Sequence, residues 1–463
     1  MSDIVITVNG APVTVKSGAL LSDVLGLEKP CGGHGSCGKC RVTVDGREEL
    51  SCKYTVTAPI NVKTRASGEI SSVTGVSEGG RETDRMCLCL DVGTTTLALA
   101  LVSLDEKRAV RVITATNPQR RFGADIMSRI EYCSKYSVSD LQRVLVAEIN
   151  RMIAEICAGG IEVMYVSANV TMLHTLFGVD CSSIGVAPYT PAFLESKRVR
   201  ASDIGVVGAR SVVSLPSVDS FVGADIVAGL NYVGVPEAGK YSLLVDLGTN
   251  AEVVLFSADS AVATAAAAGP CFEGANIKCG MSATPGAVCS FDLSDGNVSY
   301  KTISNENAVG VCGTGLVDLI ASLLDAEVID ETGYMEDDYF ITPDVYLACE
   351  DVRQYQLAKS AVYSAILSLM KTEGVRAEDI SKMYVSGGFS ANINMKNAVR
   401  SGLLPRELGD KAEFLNNSSL LGTIKYACEG GDTDGIARRT RYVDLSSSAF
   451  FADLFIQNMM FDD

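Results

Sequence analysis

The residues with the most explicit chemistry lie near the N-terminus: Cys31, Cys37, Cys40 and Cys52, spaced C-x5-C-x2-C-x11-C. Four thiolates can hold the two irons of a [2Fe-2S] cluster, and a related C-x4-C-x2-C…C spacing is a known cluster pattern. Gly32, Gly33, Gly35 and Gly38 surround the first three cysteines. Glycine allows the tight, positive-φ turns such a loop needs and lets backbone N–H groups approach the sulfurs. Structural zinc would also accept four thiolates, but it usually pairs them as two short knuckles, and here only Cys37/Cys40 forms one. His34, one of only two histidines, sits inside the loop as a filler or a protonatable neighbour.

A second set of candidates is built from aspartate, glycine and hydroxyl groups. Leu88-Cys-Leu-Asp91-Val-Gly93-Thr94-Thr95-Thr96 continues into Leu97-Ala-Leu-Ala, and Leu243-Leu-Val-Asp246-Leu-Gly248-Thr249-Asn250 continues into Ala251-Glu-Val-Val-Leu. Each reads as strand, D-x-G-T turn, strand, so the pattern is an internal repeat. A carboxylate closing a buried strand, followed by a glycine turn with hydroxyls, suits Mg²⁺-bound water and phosphate oxygens. Asp91 and Asp246 are expected to hold Mg²⁺ through water and orient an attacking water. Gly93, Thr94, Thr95, Gly248, Thr249 and Asn250 are expected to cradle phosphates. A third glycine element, Ser386-Gly387-Gly388 after an apolar strand, would let backbone approach a flat nucleoside. Asp225 sits at an expected helix start, where one reading is the helix N-cap; the other, a base or water-positioning group, is what the resemblance to kinases given below implies. Gly313, Thr314 and Gly315 either contact nucleotide or close a sheet-to-helix turn.

The elements that must position these groups follow in order. Residues 3–16 alternate around Asn9-Gly10, a hairpin signal. A short helix is expected over Leu20–Leu27, a strand and turn from Arg41 to Gly46, and another strand over Ile60–Lys63. Hairpin, helix, cysteine loop and returning strands resemble a compact β-grasp ferredoxin domain at 1–65. From Ala66 to Arg85 Ser, Gly, Glu and Thr replace apolar periodicity, which predicts a flexible linker over 66–85. Residues 86–463 carry the repeat, with halves at about 86–238 and 239–463. The apolar run Phe450–Phe461 predicts a packed terminal helix.

Composition narrows the setting. The 463 residues are 47% hydrophobic and 21% charged, those of a globular chain. The net charge of -17 and the lack of Lys/Arg clusters argue against nucleic acid. No apolar run reaches membrane-spanning length and no signal peptide is visible. With 15 cysteines, an odd number, a reducing cytoplasm is expected. The eleven cysteines outside the cluster set, such as Cys87, Cys89, Cys271 and Cys279, read as buried small hydrophobes.

The three glycine elements together resemble the phosphate-1, phosphate-2 and adenosine motifs of the actin, sugar-kinase and heat-shock-chaperone ATPases. Val166-Ser-Ala-Asn169-Val-Thr171 and Ser418-Ser-Leu-Leu-Gly422-Thr423 fit that superfamily's connecting segments. The expected fold is therefore α/β: a β-grasp [2Fe-2S] ferredoxin domain tethered to a duplicated, two-lobed actin-like ATPase. That combination resembles the reductive activators of corrinoid proteins. Asn117-Pro-Gln, Phe122-Gly-Ala-Asp125, Ile184-Gly-Val-Ala-Pro-Tyr-Thr-Pro191, Phe221-Val-Gly-Ala-Asp225 and Gly402-Leu-Leu-Pro405 extend the likeness over nearly the whole chain.

The resemblance implies ATP, Mg²⁺ and a [2Fe-2S] cluster as cofactors. It implies a corrinoid protein or corrinoid-dependent methyltransferase as partner, and an upstream low-potential reductant. The implied reaction is one-electron reduction of Co(II) to Co(I), driven by ATP. Larger members carry a middle domain implicated in dimer contacts. Only the tether stands in its place here, which leaves a homodimer open. A small-molecule kinase, a donor to another low-potential acceptor and a redox sensor are the competing functions. Changing any of Cys31, Cys37, Cys40 or Cys52 to serine is expected to alter or abolish the visible iron–sulfur absorption.

Overall fold

The computed structural model describes residues 3–25, 27, 40–64, 76–123, 125–294, 296–388, 392–445 and 448–461. Cys31, Cys37 and His34 lie outside the described residues, as do residues 66–75 of the expected linker.

The N-terminal part is a five-stranded sheet of β1 (Asp3–Val8), β2 (Ala11–Lys16), β3 (Arg41–Val44), β4 (Arg47–Leu50) and β5 (Asn61–Lys63), in the order β2-β1-β5-β3-β4. The β1–β2 turn falls on Asn9 and Gly10, with φ of 50° and 88°. That is the doubly positive geometry that makes Asn-Gly a hairpin signal. Sequence reasoning passed over β4, which pairs with β3 through the equivalent turn Asp45-Gly46. Its Arg-Glu-Glu stretch carries no alternation, because only Leu50 of β4 is even partly covered. The helix Leu21–Leu25 packs Leu21 with Ile6, Val42, Val44, Val56 and Val62 in a small core of its own.

Residues 76–81, expected as part of a flexible linker, instead run along the next domain. Gly80 N–H donates to Ala109 O at 3.1 Å, and the Glu78 carboxylate accepts from Val112 N–H at 2.7 Å. The linker reading is therefore corrected for these residues: they supply partners to an otherwise open sheet edge.

The remainder is two lobes of the same design. The first sheet holds β6 (Met86–Val92), β7 (Thr96–Ser103), β8 (Arg108–Thr116), β9 (Ile161–Ala168), β10 (Arg198–Arg200) and β11 (Ala209–Ser214), in the order β10-β11-β9-β6-β7-β8. The second lobe begins with β12 (Tyr241–Leu247), β13 (Ala251–Phe256) and β14 (Ala261–Ala266). A three-stranded insertion of β15 (Ala287–Ser294), β16 (Asn297–Thr302) and β17 (Gly310–Val311) follows, then the hairpin β18 (Tyr339–Thr342) and β19 (Val345–Leu347). With β20 (Ile380–Ser386), β21 (Ala412–Phe414) and β22 (Thr440–Tyr442), the second sheet runs β21-β20-β12-β13-β14-β22.

In both lobes an antiparallel meander of three strands is extended by two parallel strands on its first member. Asp91 sits opposite Ser167, and Asp246 opposite Ser386, on those parallel neighbours. The sequence repeat is thus a structural duplication. The central strands are apolar on both faces, as helices covering both sides require.

Two helices join the lobes. Ala224–Val233 leaves the first lobe, and Ser418–Glu429 returns from the second to lie on β6 and β9 of the first. They cross so closely that a Cβ on Gly422 would lie 1.8 Å from Ala228 O. At the C-terminus the expected helix forms over Ala449–Gln457 and docks on Cys349–Thr372. It is anchored less by its own face than by the residues after it: Phe461 stacks on Tyr355, and Gln356 donates to Met459 O at 2.8 Å. Among the described residues no helix is long and apolar enough to cross a membrane.

Gly422→Ala is expected to lower the urea-unfolding free energy by about 1–3 kcal/mol through overpacking at this crossing. That loss stands despite the roughly 1 kcal/mol of helix propensity alanine adds.

Candidate functional site

The ends of β6 and β12 meet across a cavity of about 590 Å³ between the lobes, a size typical of small-molecule sites. Asp91, Gly93, Thr94, Thr95 and Asp225 line it from the first lobe, and Asp246, Gly248, Thr249, Asn250, Gly387 and Gly388 from the second. Gly313 and Thr314 also reach it, at the start of helix Gly313–Asp325. Gly315 is not part of the lining: its missing side chain lets the helix sit on β15, where a Cβ would lie 2.1 Å from Val288 O.

Each turn is set by local chemistry. Gly93 N–H donates to Thr96 O and Gly248 N–H to Asn250 O, which closes the two loops after their aspartates. A Cβ on Gly93 would meet Thr96 O at 2.6 Å. The first loop is further held by the fully buried Arg129, which donates to Thr94 O at 2.6 Å, and by Asn117, which donates to Gly93 O at 2.8 Å. Gly387 has φ of 119°, and a Cβ there would lie 2.0 Å from Leu247 O, so only glycine fits. At Gly388 a Cβ would meet nothing within 4 Å among the described residues.

Asp225 is not a helix cap. The cap of Ala224–Val233 is Gly223, and Asp225 lies in the first turn with its carboxylate toward the cavity. It faces three further acids: Asp91, Asp246 and Glu252. Glu252 was missed in the sequence, although it lies directly across the β12–β13 ladder from Asp246. Like charges in that position destabilise a sheet unless something compensates. The corresponding residue of the first lobe, opposite Asp91, is Ala98.

These carboxyls are partly open to the cavity and enclosed by protein elsewhere, and all four are pushed up. Burial is the main cause for Asp246, raised to about 7, with the Asp91 charge adding to it. Asp225 also rises to about 7 through burial and the neighbouring Asp246. Glu252 rises through burial and the charges of Asp225 and Asp246. Burial raises Asp91 too, but two hydrogen bonds oppose it. Asn417 donates to its Oδ2 at 2.7 Å and Ser419 to its Oδ1 at 2.8 Å. Both lie at the start of the helix returning from the second lobe, so Asp91 is tied across the cleft.

Glu273 adds a fifth carboxylate, and no lysine or arginine is among the described lining residues. An anionic ligand would be repelled here unless a divalent cation accompanied it. Among the described residues no three His, Cys, Asp or Glu side chains form a direct coordination shell. The donor set therefore fits a hard cation held through water and phosphate oxygens, the usual manner for Mg²⁺.

The second candidate site is visible in part. Cys40 immediately precedes β3 and Cys52 follows β4, so both sit at the open end of that hairpin, where Ser51 N–H donates to Cys40 O at 3.0 Å. Both cysteines are buried. Ser22 and Ser51, joined there by Ser22 N–H to Ser51 O at 3.0 Å, keep buried hydroxyls with no hydrogen-bond partner among the described residues. Buried hydroxyls are normally paired, and cluster thiolates or sulfides are acceptors of the right chemistry for these two.

Two equivalent sheets flanking such a cleft define an actin-like nucleotide-binding protein of the ASKHA class. Residues 240–463 match the family profile described as the C-terminal domain of RACo, the ASKHA domain, and residues 86–238 match that of the RACo middle region. The chain belongs to the RACo family. It is 27% identical over 419 residues to the corrinoid activation enzyme RamQ of Eubacterium limosum, covering 81% of this chain and 70% of that protein. It is 25% identical over 371 residues to a [Co(II) methylated amine-specific corrinoid protein] reductase of Methanosarcina barkeri, covering 72% and 68%. The solved structure of a reductive activator for corrinoid,iron-sulfur protein shares the fold over 99% of this chain and 98% of its own, with a TM-score of 0.75 at 24% identity. The middle region that the family profile defines is matched by the first lobe, residues 86–238.

Raised carboxyls bind protons that the unfolded chain would release. Between about pH 4 and about 7 the native cleft therefore holds more protons than the unfolded state, and stability falls as pH rises through that window. The thermal midpoint of the metal- and nucleotide-free protein is expected to drop from pH 5 to pH 8, to drop less in Asp246→Asn, and to recover when Mg²⁺ and ADP are added.

Proposed function

We propose that this chain is an ATP-driven reductive activator: it takes one electron from an upstream low-potential reductant and delivers it to the Co(II) form of a corrinoid protein or corrinoid-dependent methyltransferase, giving Co(I). The observation that carries the reading is a nucleotide cleft of the RACo family joined, in one chain, to a domain that gathers cysteines at a hairpin end. The names of the two curated relatives support the acceptor.

In this reading Cys31, Cys37, Cys40 and Cys52 hold a [2Fe-2S] cluster on a β-grasp, ferredoxin-like domain. When bound, that cluster supplies a single electron, which matches a one-electron metal reduction. Ser22 and Ser51 are placed to donate hydrogen bonds toward it. Asp91, Asp246, Asp225 and Glu252 hold hydrated Mg²⁺ and orient the attacking water on ATP. Thr94, Thr95, Thr249 and Asn250, with Gly93 and Gly248, cradle the phosphates. Gly387 and Gly388 receive the adenosine, and Gly313 and Thr314 flank it. The supporting geometry is that neither lobe holds a full set of these groups, so the site is complete only when the lobes approach.

ATP can drive an unfavourable transfer only if it binds or is hydrolysed differently in the docked and free protein. Asp91 offers a route for that difference. Its bonds to Asn417 and Ser419 mean that a change in its charge is felt by the crossing helices that set the lobe angle. The pairing of two chains is part of the proposal, with the first lobe as the segment the family profile places in its middle region.

The test is anaerobic, with cluster-reconstituted protein, a Co(II) corrinoid protein and a low-potential reductant. Co(I) is expected to form with ATP and to fall by at least about tenfold without it or in Asp246→Asn. Equal Co(I) formation with and without ATP would contradict the proposal.

A further inference from the structure

Glu273 belongs to neither of the repeated turns, yet it touches both. Its Oε2 accepts from Thr95 Oγ1 at 2.7 Å, and its Oε1 accepts from Thr249 Oγ1 at 3.0 Å. Thr95 is in the loop of the first lobe and Thr249 in that of the second. One carboxylate therefore spans the two lobes at the mouth of both phosphate loops.

The segment behind it is anchored. Glu273 ends a short turn, Pro270–Glu273, entered through Gly269 at φ 77°. Gly269 N–H donates to Thr249 O at 2.9 Å. Cys271 and Phe272 are buried in the second-lobe core, with Phe272 edge-on to Tyr355. Gly274 follows at φ 78°, where a Cβ would lie 2.4 Å from the Met281 backbone. The backbone of Glu273 is held by these contacts, and its side chain by the two threonine hydroxyls.

A threonine hydroxyl has one proton to donate. While Thr95 and Thr249 give theirs to Glu273, neither can give it to a phosphate oxygen. A carboxylate and a phosphate also repel each other at this range. We propose that Glu273 is a positioning residue that clasps the two loops in nucleotide-free protein and competes with nucleotide phosphate for the Thr95 and Thr249 hydroxyls. Nucleotide binding then releases the clasp, and the affinity of the cleft is lowered by the fraction of protein held clasped. This rests on the reading of the cleft as a nucleotide site.

The experiment measures binding of MgADP and of adenosine to the full-length wild type, Glu273→Gln and Glu273→Asp by calorimetry. It also measures their thermal midpoints without nucleotide. An amide has one acceptor oxygen, one NH2 donor and no charge, so Glu273→Gln takes the proton of only one threonine, can only donate to the other, and removes the repulsion. It is expected to bind MgADP about 3- to 10-fold more tightly, to bind adenosine as wild type does, and to melt a few degrees lower when empty. Glu273→Asp keeps the charge but is one methylene shorter, so its gain should be smaller. Unchanged or weaker MgADP binding by Glu273→Gln would overturn the proposal, as would an equal gain for adenosine, which carries no phosphate. If the wild-type chain binds no MgADP at all, the nucleotide reading of the cleft falls and the proposal with it.

Discussion

Four carboxylates from two lobes, with Glu273 beside them as a fifth, converge on one cavity whose described lining has no basic side chain to answer them. Burial makes their charges expensive, and their mutual repulsion adds to that cost. The rest of the molecule can be understood as what is needed to hold that arrangement. The buried β6 and β12 place Asp91 and Asp246 at their ends, and the loops after them turn on glycine. Hydrogen bonds from Asn417 and Ser419 keep Asp91 closer to its charged form than burial alone would. A cation carried in with water and phosphate oxygens is the compensation proposed for them.

The two lobes share topology without sharing chemistry. Opposite its aspartate the first lobe has Ala98, where the second has Glu252. The first lobe contributes Asp225 on its departing helix, and the second contributes Asn417 and Ser419 on its returning one. The Ser167 hydroxyl of the first lobe lies 2.7 Å from that of Thr423 and 2.8 Å from that of Ser419, so the returning helix is hydrogen-bonded to the first sheet as well as packed on it. With Gly422 against Ala228, the crossing is a tight contact of small residues. Such a contact suits two discrete packings better than continuous bending.

Much of this was legible in the sequence because it was carried by local pattern. The repeat of apolar strand, aspartate, glycine and threonine located both loops, and the Asn9-Gly10 signal located the first hairpin. The groups that were missed are those whose meaning is long-range. Glu252 looks like one more outward residue of an alternating strand, and only pairing with Asp246 reveals it. Glu273 sits in a glycine-rich stretch with no period. Asn417 reads as an ordinary helix cap, a role it does fill through Leu420 N–H at 2.7 Å, while its amide reaches 326 positions back to Asp91. Residues 76–81 read as linker because backbone pairing to a sheet edge leaves no trace in side-chain composition.

The inter-lobe carboxylates are proposed to hold a hydrated cation together with the nucleotide. Mn²⁺ is a paramagnetic stand-in for Mg²⁺, and its binding in the presence of ADP can be counted by electron paramagnetic resonance on the full chain. One Mn²⁺ per chain is predicted, with affinity lowered about tenfold or more in both Asp91→Asn and Asp246→Asn. Mn²⁺ and ADP bound as tightly by both variants as by wild type would contradict it.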